Sequence, residues 1–394
     1  MPRSSFLRQV LLFALIRVVV HTGLRMVHPF LPAIGRGLGV NLASMALVVS
    51  ISMLAGMIGP FFAPLADRLG RRVGMILGLI AYIAGMLLVV AIPSYSGFLI
   101  ALLVAGAGSA VFVTATQAYT GDVVPYETRG RVMSLIEYSW GLSFIIGMPI
   151  VGLIIDRLGW RAPFPLFAAL SLLGLLFIYF RVPDTRLSVS QTEKGSLWNG
   201  LRAALVFPPA LFAVLMGLSS GAGNEIVVVV FGAWLEDVFA LEVVTLGAVS
   251  VVIGLSEIGG ETLAAWLVDR LGKEKSIALG LLVNSMTVVL LPVMSKTLLG
   301  GLVWLFIFFI SFEFSMVSSL PLMSELYPHG RATLIGVYIA SWTFGRALGA
   351  LVGPLLYAHG FWLNVLVCSI LDLLAVLALS RIRLQPVLRQ SGVE

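Results

Sequence analysis

Ala63-Pro64-Leu65-Ala66-Asp67-Arg68-Leu69-Gly70-Arg71-Arg72 interrupts a strongly apolar stretch of the chain. A second version follows 202 residues later as Ala265-Trp266-Leu267-Val268-Asp269-Arg270-Leu271-Gly272-Lys273-Glu274-Lys275. In each copy an Asp-Arg-x-Gly-basic turn separates two apolar runs long enough to cross a bilayer. Glycine permits a tight reversal, and the basic residues keep the turn on one side of the membrane. The aspartate is placed to meet a helix N-terminus, its own or a neighbour's. The spacing therefore predicts a membrane bundle built twice.

Composition supports this independently. Of 394 residues, 59% are hydrophobic and 11% charged, and the mean hydropathy is +1.04. A water-soluble domain has too much surface to conceal so many apolar side chains, which excludes a soluble fold. Twelve apolar runs fall at 10–32, 43–65, 73–92, 97–119, 132–155, 162–180, 209–235, 243–268, 276–294, 298–323, 332–356 and 361–379. Each is long enough for a hydrocarbon core of about 30 Å. The polar stretch 182–207 reads as a cytoplasmic linker between an N-terminal bundle, 1–181, and a C-terminal bundle, 208–394. Cys368, the single cysteine, lies within an apolar run, so no intramolecular disulfide and no Cys/His metal site is expected. The first run contains Arg17 and His21 and is followed by no small-residue cleavage site, unlike a secretory signal.

Charge sets the expected orientation. With both termini cytoplasmic, 18 of the 25 Lys and Arg residues fall in inner loops and tails, 4 outside and 3 within spans. The isoelectric point near 9.7 thus reflects membrane-flanking loops rather than a nucleic-acid patch. At the same 202-residue offset Gly78 meets Gly280, Arg129 meets Arg331, Ser139-Trp140 meets Ser341-Trp342, Gly147 meets Gly349 and Trp160 meets Trp362. Pro125 and Pro328 match with a slip of one residue. A register held this far predicts two parallel halves related by an axis along the membrane normal.

The duplicated turn resembles the loop between the second and third helices of major facilitator superfamily transporters, with Ala63 and Ala265 where that family usually has Gly. The resemblance implies an all-α membrane protein with twelve transmembrane helices in two pseudo-symmetric six-helix bundles. It also implies that the first, fourth, seventh and tenth spans line a central cavity, while the second, fifth, eighth and eleventh form the seam. In that family the loop acts as a gate, locking onto inner helix ends in the outward-open form. Carried over, gating falls to Asp67, Arg68, Arg71 and Arg72, with Arg129 as a partner, and to Asp269 and Arg270 in the second copy. The nearest look is to drug/proton antiporter-type exporters. Pro29-Phe30-Leu31-Pro32 fits their pattern, and Gly141, Gly147, Pro149 and Gly152 form a loose version of their Gly-Pro signature. The exporters' Arg before a Gly-x-Gly on the fourth span is absent; Leu102 precedes Gly106-Ala107-Gly108.

Ionisable residues inside spans usually face a partner or a wet cavity, since each costs at least about 2.5 kcal/mol at the bilayer centre. Arg17, His21, Arg25 and His28 share one stripe of the first span. Snorkelling at a helix end would account for His28 and for Arg17, but less readily for His21 and Arg25. Counting about 1.5 Å per residue from the cytoplasmic ends gives three layers of mixed charge. Arg17, Glu137 and Glu261 form one layer, His21, Glu257 and Glu313 the next, and Arg25, Glu225 and Arg346 the outermost, with Arg25 opposite Glu225.

Glu257 and Glu261 share a face of the eighth span, with Glu137 expected near them across the seam. Carboxylates that close together repel when both are ionised, which suits one to carry a proton; a structural salt bridge to Arg17 or Arg346 is the alternative. Candidate proton-coupling residues are Glu137, Glu225, Glu257, Glu261 and Glu313. Candidate substrate-binding residues are Arg17, His21, Arg25, Gln117, Trp140, Asn224, Glu313, Trp342 and Arg346. The polar residues Thr116, Ser220, Ser315 and Ser319 read more simply as back-bonded to their own helices.

These features lead to a multi-pass plasma (inner) membrane protein, a secondary transporter of a small organic molecule working by alternating access, with proton-coupled efflux as the leading expectation. A carrier of organic or lipid-like anions using the cationic first span is the alternative, and a non-transporting membrane sensor a third. The expected partners are the substrate, protons and membrane lipids, with the chain a monomer and no nucleic acid, cofactor or metal. No nucleophile–base constellation or phosphate loop points to an enzyme.

Overall fold

The computed structural model describes residues 3–57, 70–183, 208–326 and 331–382. All regular structure among these residues is helical. Ten helical spans are long and apolar enough to cross a membrane, beginning with Arg71–Ala91 and ending with Phe361–Arg381. Arg3–Arg25 and Leu42–Gly56 occupy the first two span positions and bring the number to twelve. The second span was expected to run to residue 65, and its inner end, with Asp67 and Arg68, lies outside the described residues, as does residue 184 onward of the linker.

Both Asp-Arg-x-Gly turns end on a glycine that initiates the next helix. Gly70 has φ 99° and ψ 145°, and Gly272 has φ 87° and ψ 149°. That region disfavours side chains, so the repeat is preserved in backbone conformation as well as sequence. Directly after each glycine a cation bonds an acid at the end of the following span. Arg71 Nε meets Asp122 Oδ2 at 3.0 Å, and the equivalent Lys273 meets Glu325.

Four spans expected to be continuous are broken. The first stops at Arg25 and resumes as Leu31–Leu38 after a turn containing Pro29, which has no N–H to donate. The seventh stops at Val228 and resumes as Phe231–Phe239, interrupted within the β-branched run Ile226-Val227-Val228-Val229-Val230. These two breaks fall at equivalent positions of the repeat. The fifth span is divided into Tyr126–Glu137, Ser139–Leu142, a π-helical turn Ser143–Gly147 and Met148–Leu158. The eighth is divided at Ser250, whose hydroxyl donates to Leu246 O at 2.7 Å. Broken helices at corresponding points of two repeats mark binding regions in membrane proteins, where freed backbone groups line a cavity rather than lipid.

The halves meet most closely toward the end opposite the basic turns. The second span packs along the eleventh, with Ser50 Oγ donating to Ala347 O at 2.7 Å. The fifth packs on the eighth closely enough for glycines to meet backbone. A Cβ on Gly254 would sit 2.4 Å from Gly141 O, and one on Gly247 would sit 2.6 Å from Met148 O. Large apolar side chains such as Phe180, Met286, Val289 and Leu377 cover the outside. Arg17 and Glu225, by contrast, are fully buried in the bundle. Charged groups therefore face the interior, as burial in lipid requires.

Candidate functional site

The first span delivers Arg17, His21, Arg25 and His28 to the interior, and all but His21 meet a carboxylate. Arg17 holds Glu137 of the fifth span through both guanidinium arms, at 2.8 and 2.9 Å. Gln117 of the fourth span donates to the same carboxylate at 3.0 Å. Arg17 Nε also donates to His21 Nε2 at 3.4 Å, and the His21 ring stacks on Trp140 with centroids 4.2 Å apart. Arg17, His21, Gln117, Glu137 and Trp140 thus form one connected group in the N-terminal half. Gln117 and Trp140 are exposed, and Glu137 is partly so, on the side of the basic turns.

Arg25 crosses to the other half. Both of its Nη atoms bond Glu257 of the eighth span, and Nη1 also donates to Trp140 O at 3.0 Å. Its guanidinium lies 4.3 Å from the centroid of Phe144 and 4.9 Å from that of Trp140. The π-helical turn begins at Ser143, and Trp140 O just before it accepts from both Arg25 Nη1 and Ser143 Oγ. The expected Arg25–Glu225 pairing does not form. The first helix ends at Arg25, so a straight-helix depth count overstates its height, and the long side chain reaches inward to Glu257.

Glu225 is held elsewhere, by Arg346 of the eleventh span at 2.7 Å and by His28 Nε2 at 3.0 Å. Arg346 lies over the ring of Trp342, 5.0 Å from its centroid, and Trp342 stacks on Phe312. Two acids remain. Glu261 and Glu313 make no hydrogen bond or ion pair among the described residues; Glu257, Glu137, Arg17 and Arg25 lie around Glu261, and Glu257, Glu261, Arg25 and Arg346 around Glu313. Glu313 packs against the eighth span, where a Cβ on Gly260 would lie 2.7 Å from its own Cβ.

Asn224 is buried with Nδ2 unpartnered, and Trp342 Nε1 is likewise unpartnered. Thr116, Ser220, Ser315 and Ser319 donate to backbone carbonyls of their own helices. Among the gating residues, Arg71 is on Asp122, Arg72 bonds Tyr179 O, Arg129 donates to Val124 O at 3.3 Å, and Arg270 lies over Trp266. Each of these contacts stays within one half.

Three features were not expected. His28, read from sequence as a snorkelling cation, bridges the halves. Arg36 and Glu236 form a two-pronged ion pair between the outer segments of the first and seventh spans, at 2.8 and 3.0 Å. Asp372 of the twelfth span is fully buried, with one oxygen unpartnered and the other 3.7 Å from Cys368 Sγ. An acid within an apolar run is visible in the sequence, so Asp372 was detectable; the other two needed the fold.

Two six-span halves, broken helices at matching positions and paired charges along a central seam define a membrane transporter of the alternating-access type. The sequence profile described as Major Facilitator Superfamily matches residues 13–324, and the chain belongs to that family. It is 26% identical over 352 residues to the MFS-type transporter YwfA of Bacillus subtilis, covering 88% of this chain and 85% of that one. It is 22% identical over 348 residues to Multidrug resistance protein 2 of the same organism, covering 86% of each. In structure it resembles a bacterial homologue of the human lysosomal transporter Spinster, in an inward-facing and unoccupied conformation, with a TM-score of 0.80. That match is 14% identical and covers 98% of this chain and 100% of the other. The protein is a multi-pass integral membrane protein.

Proposed function

We propose that this chain exports a small organic molecule in exchange for protons, with both termini and the basic turns on the cytoplasmic side. One observation carries the reading: Glu261 and Glu313 lie unpaired beside the Arg25–Glu257 bond that joins the halves. Carboxyls with no cation bonded to them, in a cavity that opens to one side at a time, are suited to accept and release a proton. Proton binding there would alter the field around Glu257 and so the grip of Arg25 on the seam. The relative named as a multidrug resistance protein favours export. Substrate would contact Gln117, Trp140, Asn224, Glu313 and Trp342 around that bond. Asp67, Arg68, Arg71, Arg72, Arg129, Asp269 and Arg270 would close the cytoplasmic face in the opposite conformation.

An anion carrier has less support, because Arg17, Arg25 and Arg346 each already hold a carboxylate. The test is made in proteoliposomes with an imposed pH gradient and a lumenal pH dye, using a screen of cationic, neutral and anionic compounds. A transported compound should dissipate the gradient, and Glu313→Gln should abolish that response while leaving substrate binding measurable. Flux that follows membrane potential and ignores the pH gradient would overturn the proposal.

A further inference from the structure

His28 sits in the turn that interrupts the first span, and its Nε2 meets Glu225 Oε1 of the seventh span at 3.0 Å. Glu225 is fully buried, and its other oxygen receives Arg346 at 2.7 Å. The carboxylate therefore has a fixed cation from its own half and a histidine from the opposite half. Just beyond it the two broken helices touch: a Cβ on Gly232 would lie 2.4 Å from Pro29 O and 3.0 Å from His28 O. Farther out, Arg36 and Glu236 join the outer segments Leu31–Leu38 and Phe231–Phe239, and Tyr357 donates to Asp237 at 2.7 Å. The charged groups around His28 are Glu225 from the seventh span, Arg346 from the eleventh, and Arg25 and Arg36 on its own side. Arg25 is committed to Glu257 and Arg36 to Glu236, which leaves Glu225 as the partner of the imidazole.

We propose that His28 is a proton-sensitive latch that holds the outer ends of the two halves together. A protonated imidazole donates a charge-assisted bond to Glu225, about twice as strong as the neutral one. Histidine is the side chain whose ordinary charge change falls between pH 5 and 8. Arg36–Glu236 carries fixed charges over that range and contributes a hold that does not vary. A proton on His28 adds a charged contact to Glu225 only in the conformation where the two halves meet. Acid therefore shifts the population toward the outward-closed form. The inference rests on the transport reading only in that the halves must separate at their outer ends. It is independent of which acid carries the transported proton, and His28 acts as a positioning residue.

The test is a distance measurement across the outer face of the full-length protein in lipid nanodiscs, with spin labels at Asn41→Cys and Val238→Cys. Cys368 is buried and escapes labelling. In the wild type the ratio of long to short distances should rise several-fold from pH 5.5 to pH 8. His28→Gln should flatten this rise, and His28→Lys should hold the short distance at both pH values. Arg36→Ala should raise the long-distance population by the same factor at each pH, preserving the slope. A His28→Gln protein that responds as steeply as wild type, or a wild-type distance that ignores pH, overturns the latch. Proteoliposomes that show no proton-driven flux while the distance still follows pH would remove the export reading and leave the latch standing.

Discussion

Arg25 and Glu257 belong to opposite halves of the molecule, and the guanidinium closes on the carboxylate with both of its arms. Each residue is mostly buried, and Arg25 is further fixed by Trp140 O and the faces of Trp140 and Phe144. Removing one member of a buried pair strands the other, at a cost of roughly 3–5 kcal/mol. Glu257→Gln should lower the melting temperature clearly and reduce transport more than tenfold. The exchanged pair Arg25→Glu with Glu257→Arg should recover much of the melting temperature but little of the flux, because Trp140 O then faces a carboxylate. Differential scanning fluorimetry alongside flux measurements checks both.

The close approach of the fifth and eighth spans sets a steric test. Gly254→Ala would force a Cβ to within 2.4 Å of Gly141 O, at the height of the Arg25 site, and Gly247→Ala within 2.6 Å of Met148 O nearer the outer end. Such overpacking costs about 1–3 kcal/mol. Both variants should be destabilised. Gly247→Ala should in addition raise accessibility of the outer face, read by labelling of Val238→Cys.

Arg71–Asp122 and Lys273–Glu325 are equivalent in the repeat but not in environment. The carboxylate of Asp122 is a quarter exposed, that of Glu325 half exposed. Exposed pairs contribute about 0–1 kcal/mol, so Glu325→Gln should change flux little. Asp122→Asn weakens the ion pair that Arg71 makes beside the first Asp-Arg-x-Gly turn and should slow transport several-fold with near-normal expression. Asp67→Asn should act in the same direction, slowing transport while expression holds. Equal effects from Asp122→Asn and Glu325→Gln would count against a gate centred on the first turn.

Asp372 offers a test of stability without function. It has no cation within bonding distance among the described residues, and the nearest polar contact is the thiol of Cys368. A buried carboxyl so placed gains nothing from its charge. Asp372→Asn should leave the melting temperature unchanged or higher and preserve flux. A large drop would show that the carboxyl holds the twelfth span to its neighbours.

The duplication, the twelve spans and the inward-turned charges could be read from the chain, because a 202-residue register and runs of apolar residues are properties of sequence. Depth counting narrowed the charge pairings without fixing them. Arg17 shares a layer with Glu137, and Arg346 with Glu225, and both pairs are bonded in the structure, but the layers alone gave Glu225 to Arg25. Arg25 was misassigned because counting residues assumes a straight helix, and the first span stops at that residue. The partners of His28 and Arg36 lie 197 and 200 residues away in the chain. Nothing local marks such contacts; only the packing of the two broken spans brings them together.

Along the seam between the fifth and eighth spans, glycine lets backbone approach backbone, Gly141 facing Gly254 and Gly247 facing Met148 O, with Ile145 and Ile258 filling beside them. At a glycine so placed, any replacement adds atoms where there is no room. On the transport reading proposed above, variation in what the protein carries falls to the walls at Gln117, Trp140 and Trp342. A directed library seeking new cargo should be randomised at those walls and left invariant along the glycine track.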